Sequence, residues 1–184
     1  VIYGRDVDLY VNRIHCYNPL TNETLAKMAD DITEVTNDIL PGQKIDCVAY
    51  GCTSGTVAAG YDVIKEKVNL AKPEAKVTTP ITSVIKALKV LDINKISIFT
   101  PYTKTINESV VGYFKKKNII VNSLSYFDID SDLDIGKVDQ NYLFDVLSKI
   151  DLEDSDALFV SCTALPVLSI IDKLEKKLNK VVLS

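Results

Sequence analysis

The sequence predicts an α/β fold of two pseudo-symmetric lobes, each a mainly parallel sheet flanked by helices, with a ligand site in the cleft between them. Strand and helix patterns alternate along the 184 residues, which is typical of parallel strands joined by helical crossovers. Two similar segments begin at Asp46 and Asp156, 110 residues apart. The length suits two small lobes that share a core. We expect the first lobe at 1–92 and the second at 93–184.

Three strand patterns alternate with three helix patterns in the first half of the chain. Val7, Leu9 and Val11 recur at every second position, the period of a half-buried strand. Pro19 and Asn22 mark the start of the first helix. In order, the predicted elements are a strand at 7–11, a helix at 22–39, a strand at 45–50, a helix at 53–71, a strand at 76–79 and a helix at 84–91.

The same alternation continues in the second half. Short apolar runs predict strands, and apolar residues spaced by three and four predict helices. The acidic segment 126–136 predicts a surface loop, and Pro166 is compatible with the first turn of the last helix. The predicted elements are strands at 96–99, 119–124, 157–160 and 181–183, and helices at 106–114, 142–150 and 165–178.

Charge and composition exclude several classes of protein. The chain has 21 basic and 25 acidic residues and a net charge of -4, whereas phosphate binding needs clustered cations, so we expect no nucleic-acid partner. No apolar run approaches the roughly 18 residues that span a bilayer, and the first residues lack a signal-peptide pattern. We therefore expect a soluble, cytoplasmic protein with no membrane partner. The sequence begins without the apolar strand that usually opens such a fold, so we expect a longer protein.

The cysteines and the single histidine limit the chemistry of the site. Four cysteines in a chain of this length and apolar content indicate free thiols rather than a disulfide scaffold. No Cys-x-x-Cys or His-x-x-x-His pair occurs, so we expect no metal site. No Gly-x-Gly-x-x-Gly loop occurs either, and we expect no cofactor. We interpret His15 as a structural residue.

The internal repeat carries the candidate chemistry. Segments 46–54 and 156–164 each have an Asp, an apolar strand, one small residue and then Cys-Thr. Because the match is in register with the strand and helix pattern, we interpret it as a duplication rather than chance. Cys52 and Cys162 should then end two related strands, each before a helix, and face each other across one cleft.

A thiol at a helix N-terminus is in a field that favours its thiolate. Hydroxyls beside the two cysteines, with nearby backbone amides, could hold a carboxylate; they belong to Thr53, Ser54, Thr56 and Thr163. Two opposed thiols could move a proton from one face of a carbon to the other, or one could attack an activated carbon. We expect Cys52 to be the more reactive thiol, because Gly51 and Gly55 let amides approach an anion closely.

Free cysteine is often only a small buried apolar residue. We favour that interpretation for Cys16 and for Cys47, which lies between apolar strand neighbours. For Cys52 and Cys162 the repeat favours a functional role.

Three motifs together resemble a known family. They are the sequence Tyr-Gly-Cys-Thr-Ser-Gly-Thr at 50–56, Phe-Thr-Pro-Tyr at 99–102 and Ser-Cys-Thr-Ala-Leu at 161–165. In this order they resemble the aspartate/glutamate racemase superfamily, and within it the branch of maleate cis–trans isomerases, arylmalonate decarboxylases and ectoine-utilisation proteins. The resemblance implies two α/β lobes related by a pseudo-twofold axis, with a cofactor-free site in the cleft.

The resemblance also implies roles for individual residues. Cys52 corresponds to the nucleophile of maleate isomerases and Cys162 to its acid/base counterpart. Tyr102, Thr53 and Ser54 correspond to residues that bind a substrate carboxylate, and maleate isomerases supply an Asn from the second lobe that has no secure match in segment 126–136.

The function implied is a cofactor-independent isomerase of a small dicarboxylate, similar to maleate isomerase. Arylmalonate decarboxylases have Gly in place of the first Cys, so Cys52 favours isomerase or racemase chemistry. The alternatives left open are an Asp/Glu-type amino-acid racemase, an arylmalonate-type decarboxylase, and a non-catalytic dicarboxylate-binding module on the same fold. A small carboxylate is the expected ligand, and the sequence leaves open a homo-oligomer.

Overall fold

The computed structural model describes residues 6–152 and 154–184. The helices of this part of the chain are α1 (Asn22–Lys27), α2 (Ile32–Asn37), α3 (Thr53–Ala59), α4 (Tyr61–Ala71), α5 (Pro80–Val90), α6 (Lys104–Lys116), α7 (Asp132–Ile135), α8 (Gln140–Leu147) and α9 (Ile171–Leu178), with single 3₁₀ turns at Met28–Asp31 and Leu168–Ile170. The strands are β1 (Cys47–Ala49), β2 (Lys76–Thr78), β3 (Lys95–Thr100), β4 (Ile120–Tyr126), β5 (Ala157–Val160) and β6 (Val181–Leu183). Among these helices, none has both the length and the apolar character needed to cross a bilayer.

Two parallel sheets give the fold its two lobes, as the sequence predicts. Strands β1 and β2 form a two-stranded sheet in which Val48 pairs with Val77. The second sheet has the order β4-β3-β5-β6, and Ile98 of its central strand pairs with Leu124 on one side and Phe159 on the other. The paired strands of both sheets are parallel, and helices connect them. The six strands begin and end within a few residues of the bounds that the sequence predicts.

Each sheet is covered by its own apolar core. The larger core surrounds β3 and β5, whose apolar side chains are almost fully buried, as expected for central parallel strands. The smaller core packs Ile64 and Val68 of α4 against Val48 and Val77. Helix α5 precedes position 93, yet its buried face belongs to the larger core. The division of the lobes at 92 and 93 therefore stays a prediction.

The strand predicted at 7–11 is wrong. The segment has no ladder partner among the described residues, and its apolar side chains are exposed, with Val11 at 76%. A two-residue apolar period makes a strand only where another strand can complete its hydrogen bonds. Just after it, the Asn12 side chain donates a hydrogen bond to the Val35 carbonyl at the 3.0 Å distance of an ordinary bond.

Three predicted helices differ in the structure. The helix at 22–39 is divided into α1 and α2 by the 3₁₀ turn Met28–Asp31. The helix at 53–71 is broken into α3 and α4 at Gly60, whose φ of 89° favours glycine. The helix predicted at 165–178 begins only at Ile171, since turns occupy the segment around Pro166. The acidic segment 126–136 is irregular as predicted, except for the single turn of α7, which Ser131 caps.

Candidate active site

A cavity of about 320 Å³ lies where the two lobes meet, and both repeat cysteines line it. The strand-to-helix connection after β1 brings Cys52 to the cavity, and the turn after β5 brings Cys162. The carboxyl ends of parallel strands form such sites. The other polar lining residues are Asn12, Cys16, Tyr50, Thr53, Ser54, Tyr102, Asp132 and Thr163, and the apolar ones include Ile14, Leu20, Leu25, Met28 and Ile135.

Cys52 is the N-cap residue of α3. Its Sγ accepts a hydrogen bond from the Gly55 amide at 3.2 Å, and its Sγ lies 3.8 Å from the Ser54 hydroxyl. Burial raises the pKa of the Cys52 thiol, while the Gly55 amide and the Ser54 hydroxyl pull the pKa the other way. The sequence predicts a lowered pKa, and this is wrong because loss of solvent outweighs the helix start. Burial therefore disfavours the thiolate form of Cys52.

Gly55 allows two polar groups to approach the start of α3. A Cβ atom at this position would lie 2.6 Å from the Tyr50 hydroxyl and 3.0 Å from the Cys52 Sγ. Tyr50 is buried, lines the cavity and lowers the pKa of Cys52 by hydrogen bonding to it. The sequence analysis missed Tyr50. The signal was a large side chain with a polar tip at the end of an apolar strand, two positions before the cysteine.

Cys162 occupies an unusual backbone conformation at the end of β5. Its φ is 93°, a region that residues other than glycine rarely adopt and that marks functional sites. Burial raises the pKa of its thiol to about 11, against the lowering effect of the Ala164 amide and the Tyr102 hydroxyl. No helix starts here, so the helix field predicted for this thiol is absent from this side of the site.

Tyr102 lies next to the second thiol. It is 1% exposed, and its hydroxyl accepts a hydrogen bond from Ser161 at 3.3 Å. A buried pair fixes its backbone: Thr100 donates to Asn107 at 2.6 Å, and Asn107 donates to the Tyr102 carbonyl at 3.0 Å. The Thr-Pro-Tyr motif thus places a rigid phenol on the wall of the cavity.

The remaining predicted carboxylate ligands separate into two groups. Thr53 and Ser54 lie in the first turn of α3 and line the cavity. Thr56 is outside the cavity lining, and its hydroxyl donates to the Cys52 carbonyl at 2.7 Å. Thr163 lines the cavity, but its hydroxyl donates to the Gly51 carbonyl at 2.7 Å. Thr53, Ser54 and Thr163 thus lie at the cavity and Thr56 does not, and the binding role of each of them stays a prediction.

Two further cavity residues come from loops. Cys16, which we interpret from the sequence as structural, is half-buried in the cavity wall, and burial raises its pKa to about 11. Asp132 begins α7, and its charge raises the pKa values of Cys16, Cys52 and Cys162. Neither residue is marked by a periodic pattern, so nothing in the sequence singled it out. His15 is outside the cavity lining and packs edge-on against Tyr17.

Metal ligands are not grouped in the described part of the chain. Over residues 6–152 and 154–184, no three His, Cys, Asp or Glu side chains are arranged to hold a metal ion. The cavity instead offers thiols, hydroxyls and helix amides. Such groups suit a small carboxylate and the addition or removal of a proton at carbon.

Comparisons with known proteins agree on one family. The family model described as arylmalonate decarboxylase matches residues 17–184. The maleate isomerase of Geobacillus stearothermophilus is 26% identical over 173 residues, which are 90% of this chain and 68% of that relative. The maleate isomerase of Alcaligenes faecalis is 25% identical over 153 residues, 79% of this chain and 60% of the relative. The chain thus spans about two thirds or less of the length of these relatives.

A solved structure shows the same fold. The maleate cis–trans isomerase of Nocardia farcinica, as a mutant with a covalently bound succinylcysteine intermediate, matches with a TM-score of 0.80 at 20% identity. The match covers 94% of this chain and 72% of that one. The two-lobed architecture predicted from the sequence is therefore confirmed.

Proposed function

Because the chain belongs to the arylmalonate decarboxylase family, we propose that it is a cofactor-independent isomerase of a small dicarboxylate, similar to maleate isomerase. One observation carries the proposal: two thiols from different lobes, Cys52 and Cys162, line the same small cavity. The proposal keeps a small carboxylate as the ligand and the cytoplasm as the location.

In the proposed reaction Cys52 is the nucleophile. Its thiolate adds to one alkene carbon, and the neighbouring carbon takes the proton of Cys162. The central double bond is then a single bond, about which rotation is nearly free. The Cys162 thiolate removes the proton again and the carbon–sulfur bond breaks. The trans isomer leaves, with Cys52 again a thiolate and Cys162 again a thiol. The relatives support this chemistry, since succinylcysteine is the adduct that forms when a cysteine adds to maleate.

The start of α3 is the proposed carboxylate site. Thr53 and Ser54 line the cavity beside Cys52 and belong to the first helical turn, whose first amides lack a partner within the helix. Helix N-termini hold anions through such amides and through the helix dipole. The Tyr102 hydroxyl lies on the opposite wall, beside Cys162, and completes the donor set. A carboxylate bound here would hold its alkene carbon between the two thiols.

Each alternative needs different groups. An amino-acid racemase would use the same thiols as two proton carriers without a covalent bond. A decarboxylase would need only Cys162, since the family's decarboxylases have Gly at the position of Cys52. A non-catalytic binding module would have no use for a second thiol. The presence of both cysteines in one cavity favours the isomerase or the racemase over the decarboxylase and the binding module. The similarity to maleate isomerases favours the isomerase over the racemase.

The deciding experiment compares three single variants in the isomerisation of maleate to fumarate. We expect Cys52→Ser to lose turnover by orders of magnitude, because a hydroxyl is a far weaker acid than a thiol. We expect Cys162→Ser to retain the nucleophile and to accumulate one adduct on Cys52, which mass spectrometry detects. The exposed Cys47, which is outside the cavity lining, supplies the control, since Cys47→Ser should behave as the wild type.

Other outcomes would support the alternatives. Near-normal turnover by Cys52→Ser would contradict the covalent mechanism. Racemisation of aspartate or glutamate without any adduct would favour the racemase, and release of carbon dioxide from an arylmalonate would favour the decarboxylase. Binding of a dicarboxylate without turnover, unchanged by Cys162→Ala, would favour the binding module.

A further inference from the structure

The hydrogen-bond donors of the cavity are concentrated beside Cys52. Thr53, Ser54 and the first amides of α3 lie beside Cys52 and can satisfy one carboxylate. Among the described residues, none that lines the cavity is a Lys, Arg or His. Neutral donors and a helix start can hold one negative charge without a cation. A second ionised carboxylate on the same substrate has no charged partner in the cavity.

Asp132 adds a negative charge to the cavity wall. The residue is half-buried and starts α7, and its amide donates to the Asn18 side chain at 3.0 Å. The loop that precedes α7 is also held by a backbone hydrogen bond, because the Leu20 amide donates to the Asp130 carbonyl at 2.7 Å. Within residues 6–152 and 154–184, no cationic side chain forms an ion pair with Asp132. The backbone therefore holds an unneutralised carboxylate at the cavity.

The field of this carboxylate reaches the place where the substrate must lie. The charge of Asp132 acts on both Cys52 and Cys162. In the proposed function the substrate lies between these two thiols, so it is exposed to the same charge. Two carboxylates at close quarters repel each other, whereas an amide can donate a hydrogen bond to a carboxylate.

Resting on the proposed function, we propose that Asp132 is a specificity-determining residue that selects a monoanionic substrate. The favoured substrate has one carboxylate, held at the start of α3, and an uncharged hydrogen-bond donor such as a carboxamide at its other end. A dianion such as maleate is still isomerised, but with a lower kcat/KM than its half-amide. The half-amide of the unsaturated diacid is the substrate class that this cavity fits.

The test uses maleate, its monoamide maleamate, and two variants of α7. Asp132→Asn removes the charge and keeps the shape. Asp134→Asn is the matched control, because Asp134 is exposed on the same helix and pairs with Lys137. For the wild type and the control we expect kcat/KM for maleamate to exceed that for maleate by roughly tenfold or more. In Asp132→Asn the preference should disappear, mainly through faster use of maleate.

A binding measurement separates this inference from the function on which it rests. Calorimetry with the saturated analogues succinamate and succinate reports charge selectivity without turnover. We expect succinamate to bind about tenfold more tightly to the wild type and the two to bind equally to Asp132→Asn. If neither maleate nor maleamate is isomerised, the proposed function fails. The binding of succinate and succinamate then decides the role of Asp132. If maleate is isomerised at least as well as maleamate, and succinate binds as well as succinamate, the isomerase stands and the selectivity is wrong.

Discussion

The Thr163 hydroxyl donates to the carbonyl oxygen of Gly51 at 2.7 Å, and this bond joins the two lobes at the site. Gly51 precedes Cys52, and Thr163 follows Cys162. This hydrogen bond between their neighbours helps to hold the two thiols at their separation. The sequence analysis assigns Thr163 to substrate binding, whereas its only hydroxyl proton is already used in this bond. We infer that it acts mainly by positioning.

Replacing Thr163 should slow the reaction more than it weakens binding. In Thr163→Val the shape is nearly kept but the donor is lost, and we expect kcat to fall by about tenfold or more, since misplacement of a reacting group by an ångström is costly. KM should change little. Thr163→Ser, which restores the donor, should recover most of the rate. A large rise in KM with unchanged kcat would instead support a direct contact with substrate.

The rate should increase with pH through the neutral range. Burial raises the pKa of Cys52 above its ordinary value, so the attacking thiolate is scarce at pH 7. Below that pKa its fraction grows about tenfold for each pH unit, and kcat/KM should follow. Cys162 must keep its proton for the first step. Because its pKa is about 11, kcat/KM should decrease again only at strongly alkaline pH. A kcat/KM that is flat between pH 7 and 9 would contradict a buried, protonated nucleophile.

Gly55→Ala should damage the site without unfolding the protein. Alanine favours a helix by about 1 kcal/mol over glycine, but its Cβ would lie within 3.0 Å of both the Cys52 Sγ and the Tyr50 hydroxyl. We expect kcat/KM to fall by about tenfold or more, because both groups must move. Thermal unfolding should be cooperative as in the wild type. The matched substitution Gly112→Ala, where the added methyl meets nothing within 4 Å, should leave the rate unchanged.

Alkylation by iodoacetamide should begin at Cys47. The sequence analysis favours Cys52 as the more reactive thiol, but the structure exposes Cys47 on strand β1 and buries Cys52, whose pKa is raised. Thiolate fraction and access together set the rate of alkylation. Peptide mapping at pH 8 should find Cys47 modified first. Earlier modification of Cys52 would mean that the cavity is more open, and its thiol more acidic, than the structure indicates.

The alternation of strands and helices could be predicted because each element carries a local signal. The parallel sheets, the positions of β3 and β5, and the convergence of Cys52 and Cys162 all follow from apolar periodicity and from where parallel strands end. The family was also predictable from the three motifs, and the match over 17–184 confirms it. The catalytic and binding roles of the individual residues remain predictions.

What could not be predicted depends on long-range contacts. Cys47 is predicted to be buried and is exposed, because only Val48 of β1 faces the core and a shift of one residue reverses the side of a strand. Cys16 reaches the cavity on an irregular loop and Asp132 on the single turn of α7, and neither segment has an apolar period. The segment 7–11 has the period of a strand but no partner to pair with. Each case needs knowledge of neighbours that lie far away in the sequence.

The hydrogen bond between the Gly55 amide and the Cys52 Sγ bears on how long an intermediate survives. A thiolate is a strong acceptor for that amide, whereas the thioether formed by addition is a weak one. In the proposed reaction the helix start therefore stabilises the departing sulfur more than the carbon–sulfur bond. The adduct is kept from becoming a thermodynamic trap, and the same interaction that prepares the attack also promotes the release of product.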